Sequence, residues 1–86
     1  MTKIHLILLE TSACHLCGHA LAIVTQCQKD NGNLFIEHID IAEHPQWQPS
    51  YAVRIPVLYH PETQKDLGWP FDHADVNAFI EALKHD

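Results

Sequence analysis

Ile4-His5-Leu6-Ile7-Leu8-Leu9-Glu10-Thr11-Ser12-Ala13-Cys14-His15-Leu16-Cys17 is the stretch on which the reading of this chain turns. The apolar run has the length and continuity of a central β-strand covered on both faces. Two thiols follow it at the head of a helical pattern, separated by two residues. A thiol at a helix N-terminus meets unsatisfied backbone N–H groups and the positive end of the macrodipole, so its thiolate is favoured. The second thiol, three positions on, lies on the same helical face and within reach of a disulfide. Cys14 is therefore expected as the nucleophile, with a pKa below the roughly 8.5 of a free thiol. Cys17 is expected as the resolving thiol that attacks a mixed disulfide.

Working outward, Leu16, Ala20, Ile23, Val24 and Cys27 recur at helical spacing and predict an amphipathic helix over residues 14–29. Thr11 or Ser12 is its expected N-cap. Asp30-Asn31-Gly32-Asn33 closes it with turn chemistry. A second strand is predicted over residues 34–41, with Phe35, Ile39 and Ile41 on one face. His44-Pro45 opens a short helix reaching residue 52, with proline at its first position. Residues 56–60 and 65–69 read as two strands of a hairpin around Pro61-Glu62-Thr63-Gln64. Asp72 caps a last helix, Asp75 makes an imperfect capping box with it, and Val76, Phe79, Ile80 and Leu83 form the buried stripe. The order is βαβαββα: an α/β chain whose first two strands are joined by a helical crossover and whose last two are antiparallel. A four-stranded mixed sheet with helices on both faces is expected, as a single domain over residues 1–86.

Composition narrows the function. A formal net charge of -6 with only five basic side chains leaves no basic footprint for nucleic acid or an anionic membrane. The N-terminal apolar run is too short for a signal-peptide core or a membrane span. Three cysteines suit neither a secreted disulfide framework nor an all-cysteine zinc site. A cytoplasmic monomer is expected, and in that reducing compartment a CxxC pair is catalytic or metal-binding rather than structural. Most of the eight histidines read as scattered surface residues. His15 has two readings: a cation that favours the Cys14 thiolate when protonated, or an exposed helix-start residue without a role. Cys14, Cys17, His15 and His19 together offer soft ligands, so a zinc or iron–sulfur binding or interaction module is the competing class. Against it, consecutive helix positions diverge by about 100°, which keeps one helix from wrapping a tetrahedron. Cys27 lies on the apolar stripe and is assigned to the core.

Three stretches carry a family resemblance. They are Leu8-Leu9-Glu10-Thr11-Ser12-Ala13-Cys14-His15-Leu16-Cys17, Tyr51-Ala52-Val53-Arg54-Ile55-Pro56-Val57-Leu58 and Leu67-Gly68-Trp69-Pro70-Phe71. On these, and on the order of elements, the chain resembles the glutaredoxin-like branch of the thioredoxin superfamily over essentially its whole length, small bacterial glutaredoxin-like proteins above all. The resemblance implies a thioredoxin fold and a thiol–disulfide oxidoreductase with no bound cofactor beyond its own dithiol. It implies protein or small-molecule disulfides as substrates, and glutathione (as co-substrate) or a thioredoxin-reductase-type protein as reductant. It further implies a cis bond before Pro56, with the backbone N–H and C=O of Ile55 released to pair with a substrate strand. Arg54, the only arginine, falls near the same cleft, as a holder of a substrate carboxylate or as a solvated surface charge. Two departures matter. The family generally has proline or glycine between the cysteines, where this chain has His15 and Leu16. Its glycine pair before the last helix becomes Trp69-Pro70-Phe71-Asp72, which puts bulk and a negative charge where an open backbone would bind glutathione. Generic disulfide exchange survives both changes, and weaker glutathione binding is predicted. Trp69 and Phe71 form either an apolar rim or packing against the last helix.

Overall fold

The first strand sits where its hydrophobicity demands, second from one edge of a four-stranded sheet. The computed structural model describes residues 3–12, 14–52 and 54–84. Ala13, at the end of the predicted loop, and Val53, in the second stretch that carries the resemblance, lie outside the described residues. The elements are β1 (Ile4–Glu10), α1 (His15–Asp30), β2 (Leu34–Asp40), α2 (Gln48–Tyr51), β3 (Val57–His60), β4 (Lys65–Gly68) and α3 (His73–Lys84), with 3₁₀ turns at Ile41–Glu43 and Pro45–Trp47. The strand order is β2-β1-β3-β4. β1 pairs in parallel with β2, from Ile4 opposite Leu34 to Glu10 opposite Asp40. β3 runs antiparallel to β1, with Leu9 opposite Val57, and β4 antiparallel to β3. This mixed α/β sheet is the thioredoxin fold that the resemblance implies.

Alternation along β1 divides the core in two. Leu6 and Leu8 face α1 and α3, joining Ala20, Val24, Leu58, Val76 and Ile80 in the larger cluster. Ile7 and Leu9 face the other way, onto Ile41, Val57 and the half-buried rings of Trp47, Tyr51 and Tyr59. β1 is thus buried on both faces, which is why its sequence does not alternate between apolar and polar.

Two local expectations are corrected, the N-cap of α1 and the helix after Pro45, and two are sharpened, the face of β2 and the cap of α3. The N-cap of α1 is Cys14 itself, not Thr11 or Ser12. The buried side of β2 is Leu34 and Ile36, while Phe35 is 53% exposed and stacks on His5 with ring centroids 5.1 Å apart. Phe35 does share its face with Ile39, but the segment of residues 41–52 covers that face only at the Glu10 end of the sheet. The continuous helix predicted from Pro45 to residue 52 is instead a 3₁₀ turn followed by one α-turn. Pro49 has no N–H to give the Pro45 carbonyl, which accepts from Gln48 N–H instead. The capping box of α3 is complete: Asp75 N–H donates to Asp72 Oδ1 at 2.9 Å and Asp72 N–H donates to Asp75 Oδ2 at 3.1 Å. Among the histidines, His60 is buried, with Nδ1 2.7 Å from Thr63 Oγ1.

Candidate active site

The chain leaves β1 at Glu10 and reaches Cys14 through a turn in which Cys14 N–H donates to Thr11 O at 3.0 Å. Cys14 has extended dihedrals (φ -89°, ψ 108°), as an N-cap residue should. Its sulfur accepts from the Cys17 N–H at 3.2 Å, taking the place that a serine or aspartate oxygen fills in an ordinary cap. That donor belongs to the group of orphan N–H groups at the helix start, so negative charge on this sulfur is met by a hydrogen bond and by the macrodipole together. Cys17 is one turn inside, 4% exposed, while Cys14 is half-buried. The two are joined as a disulfide with a Cα–Cα distance of 5.3 Å, inside the usual span for that bond. The more exposed cysteine is therefore the capped one, and the buried cysteine is bonded to it.

His15 and Leu16, the residues between the cysteines, are both exposed. The His15 ring meets His19 edge-on, with centroids 5.4 Å apart. Among the described residues, no three His, Cys, Asp or Glu side chains converge as a metal-ligand set.

A hollow of about 360 Å³ opens beside the disulfide, lined by Glu10, Thr11, Ser12, Gly18, Leu21 and Asp40 as well as both cysteines. Glu10 and Asp40 end the two parallel strands in register, and both are half-buried. Glu10 Oε1 lies 3.3 Å from His38 Nδ1. Asp40 Oδ1 accepts from Ala42 N–H at 2.9 Å and so caps the 3₁₀ turn after β2. Neither carboxylate was expected from motif reading. The signal available was positional: the carboxyl ends of adjacent parallel strands, next to a crossover, form the usual ligand-binding edge of an open α/β sheet.

On the other side of β1, continuing the β1–β3 register by one residue sets Pro56 opposite Glu10, at the sheet end from which the chain leads to Cys14. Pro56 is buried, its bond to Ile55 is cis, and its carbonyl accepts from Trp69 N–H at 3.1 Å. Ile55 N–H donates to Tyr51 O at 3.1 Å, so this donor, expected to be released for a substrate strand, is taken by the preceding turn. Arg54 is likewise engaged. Its guanidinium makes a forked contact with Asp66 (2.8 and 3.3 Å) and lies 5.2 Å from the centre of the Tyr51 ring. Tyr51 OH donates to the same carboxylate at 3.1 Å. The Arg54 fork, with the Tyr51 hydroxyl, holds the Asp66 carboxyl below the usual carboxylate range against the opposing effect of burial. Burial, then Asp66, pushes the Tyr51 phenol up. Arg54 thus ties the residues before Pro56 to β4.

Comparison with known proteins supplies the family. Residues 5–81 match the family described as Glutaredoxin-like domain (DUF836). The chain belongs to the glutaredoxin-like domain family. Among solved structures it is similar to protein XcR50 from X. campestris, at 31% identity with a TM-score of 0.73, covering 90% of this chain and 96% of that one. It is also similar to protein Ne2328 from Nitrosomonas europaea, at 25% identity with a TM-score of 0.75, covering 92% and 93%. A structure described as a malarial protein shares the fold at 14% identity with a TM-score of 0.73, covering 94% and 97%. No curated protein matches the chain. The Cys14–Cys17 pair of this glutaredoxin-like domain fits a redox role.

In this domain the segment after β4 is built as packing. Phe71 is buried in the larger core cluster, and Trp69 packs on it edge-on at 5.1 Å. Cys27, the third cysteine, is fully buried and unpaired. Burial, and to a lesser degree Asp30, pushes its thiol up. No helix among the described residues is long and apolar enough to cross a membrane.

Proposed function

We propose that this glutaredoxin-like domain is a thiol–disulfide oxidoreductase in which Cys14 attacks and Cys17 resolves. The single observation that carries the reading is the placement of Cys14 as the N-cap of α1, its sulfur accepting the Cys17 N–H in front of a buried second thiol. In the reduced protein the Cys14 thiolate attacks one sulfur of a substrate disulfide. A Cys14–substrate disulfide forms as the first substrate thiolate leaves and takes up a proton. The Cys17 thiolate then attacks Cys14 Sγ, the second substrate thiol departs, and the Cys14–Cys17 disulfide closes. Two electrons have passed from the protein dithiol to the substrate. An external thiol, glutathione or a thioredoxin-reductase-type protein, returns them. We assign His15 to favouring the thiolate when protonated, and the Ile55-Pro56 turn, held by Arg54, to forming the opposite wall for substrate. The reaction suits a cytoplasmic monomer that works on protein or small-molecule disulfides.

Two variants test the assignment. Cys14→Ser abolishes disulfide exchange, whereas Cys17→Ser accumulates a covalent mixed disulfide on Cys14, read by intact mass. Faster alkylation of Cys17 than of Cys14 in the reduced protein reverses the roles.

A further inference from the structure

We infer that the hollow beside Cys14 is a subsite for a cationic group on a small disulfide substrate, with Glu10 and Asp40 selecting its charge. The inference rests on the exchange reading of the Cys14–Cys17 pair and deepens it by naming a substrate class. Both cysteines line the hollow, so whatever occupies it lies beside the disulfide. Its volume of about 360 Å³ accommodates a short aliphatic arm together with some water. Two carboxylates, Glu10 and Asp40, stand side by side at its strand-end wall, and no lysine or arginine is among the described residues that line it.

Neither carboxylate swings freely. One oxygen of Glu10 is held near His38 Nδ1 and one oxygen of Asp40 caps the turn after β2. Both groups are half-buried, which strengthens their field at the hollow relative to an open surface. Leu21 supplies an apolar wall, and Thr11 and Ser12 contribute hydroxyl-bearing residues. This lining matches an aminoalkyl arm: methylenes along Leu21, an ammonium toward the two carboxylates, sulfur at Cys14. An arm ending in a carboxylate meets repulsion in the same place. The reacting sequence is the one given above, with two aminothiols released for each protein disulfide formed and no further reductant needed for a single turnover.

The test is single-turnover oxidation of the pre-reduced protein by three small disulfides: cystamine (dicationic), 2-hydroxyethyl disulfide (neutral) and 3,3′-dithiodipropionate (dianionic). Each rate is divided by the rate of dithiothreitol with the same probe, which removes differences in leaving-thiol acidity. The expected order is cystamine, then hydroxyethyl, then dithiodipropionate, with about tenfold between the extremes. Asp40→Asn and Glu10→Gln, which keep an acceptor oxygen for the existing contacts, each narrow that ratio by about threefold. Glu62→Gln is the control of equal charge change: Glu62 lies in the β3–β4 turn, at the opposite end of the sheet, and its loss leaves the ratio in place. Added salt narrows the ratio in the unmodified protein, a measurement that needs no variant. Equal normalised rates for the three probes overturn the inference, as does a Glu62→Gln effect as large as that of Asp40→Asn. Failure of all three probes to oxidise the protein instead overturns the exchange reading beneath it.

Discussion

Asp66→Ala is the substitution that most directly measures how the turn before Pro56 is held. Asp66 on β4 takes three donor contacts at once: the Tyr51 hydroxyl at 3.1 Å and the two arms of Arg54 at 2.8 and 3.3 Å. Both partners lie in the turn that leads into Ile55-Pro56. The ion pair is half-exposed, with side-chain exposures of 43% for Arg54 and 25% for Asp66, so it is discounted for solvent to about 0.5–1 kcal/mol. The Tyr51 hydrogen bond to this carboxylate, part-exposed and discounted for solvent, contributes about 1–1.5 kcal/mol. Together they give a loss of about 2 kcal/mol, or roughly 8–16 °C in Tm for a domain of this size. Asp66→Asn keeps an oxygen for Tyr51 and loses only about 1 kcal/mol. The folded-state pKa of Asp66 is depressed, so its contribution is present above the unfolded carboxylate value of about 3.9 and is lost as pH falls through the folded value. The gap between the native protein and Asp66→Asn therefore closes on acidification. Urea titration followed by tryptophan fluorescence reads this, with Trp47 packed on Tyr51 and Tyr59 and Trp69 on Phe71. An Asp66→Ala loss under about 0.5 kcal/mol at pH 7, or a gap that widens toward pH 3, refutes the reasoning.

Three further outcomes follow from named contacts. Asp72→Ala removes the acceptor of Asp75 N–H and costs about 1 kcal/mol in denaturant titration, whereas a change at the exposed Asn77 of α3 costs under 0.5. Cys27 resists alkylation at pH 8 in the native state and reacts only on unfolding, because it is fully buried and its thiol is pushed up; native labelling at Cys27 in peptide maps contradicts this. Glutathione at low millimolar concentration supports slower turnover than a thioredoxin-reductase system does. The glycine pair that would offer backbone amides is replaced by Trp69, Pro70, the buried Phe71 and Asp72, and efficient glutathione-coupled turnover contradicts the claim.

What the sequence disclosed depends on where its physics is local. β1, α1 and α3 were readable because a continuous apolar run, a stripe at helical spacing and an Asp72/Asp75 cap are decided within a few residues. The crossover put β1 beside β2 and the hairpin put β3 beside β4, whereas the β1–β3 pairing that joins the two halves is a long-range contact with no local signal. The burial of β2 was not local: Phe35 is as apolar as Leu34 and Ile36 beside it, yet the helices cover Leu34 and Ile36 while the layer on the other face reaches Ile39 and stops short of Phe35. Residues 45–52 failed as one helix because the effect of Pro49 falls on a carbonyl four positions earlier, a conflict that apolar periodicity does not register. In the site, the two cysteines were legible from spacing and position. The N-cap was not, since cysteine competes poorly with Thr11 and Ser12 on propensity and takes the place through tertiary placement of the loop. Asp66 and Asp40 were invisible as partners because register between strands, not sequence distance, brings them to Arg54 and to the hollow.

The order in which the thiols react reports most directly on the chemistry of the site. The reduced protein, treated with a limiting alkylating agent and mapped by peptide mass across a pH series, should carry its first label on Cys14. The labelling midpoint should lie below the roughly 8.5 of a free thiol, with Cys17 slower and Cys27 unlabelled. First labelling of Cys17, or a Cys14 midpoint at or above the free-thiol value, contradicts the claim that the α1 N-terminus prepares Cys14 for attack.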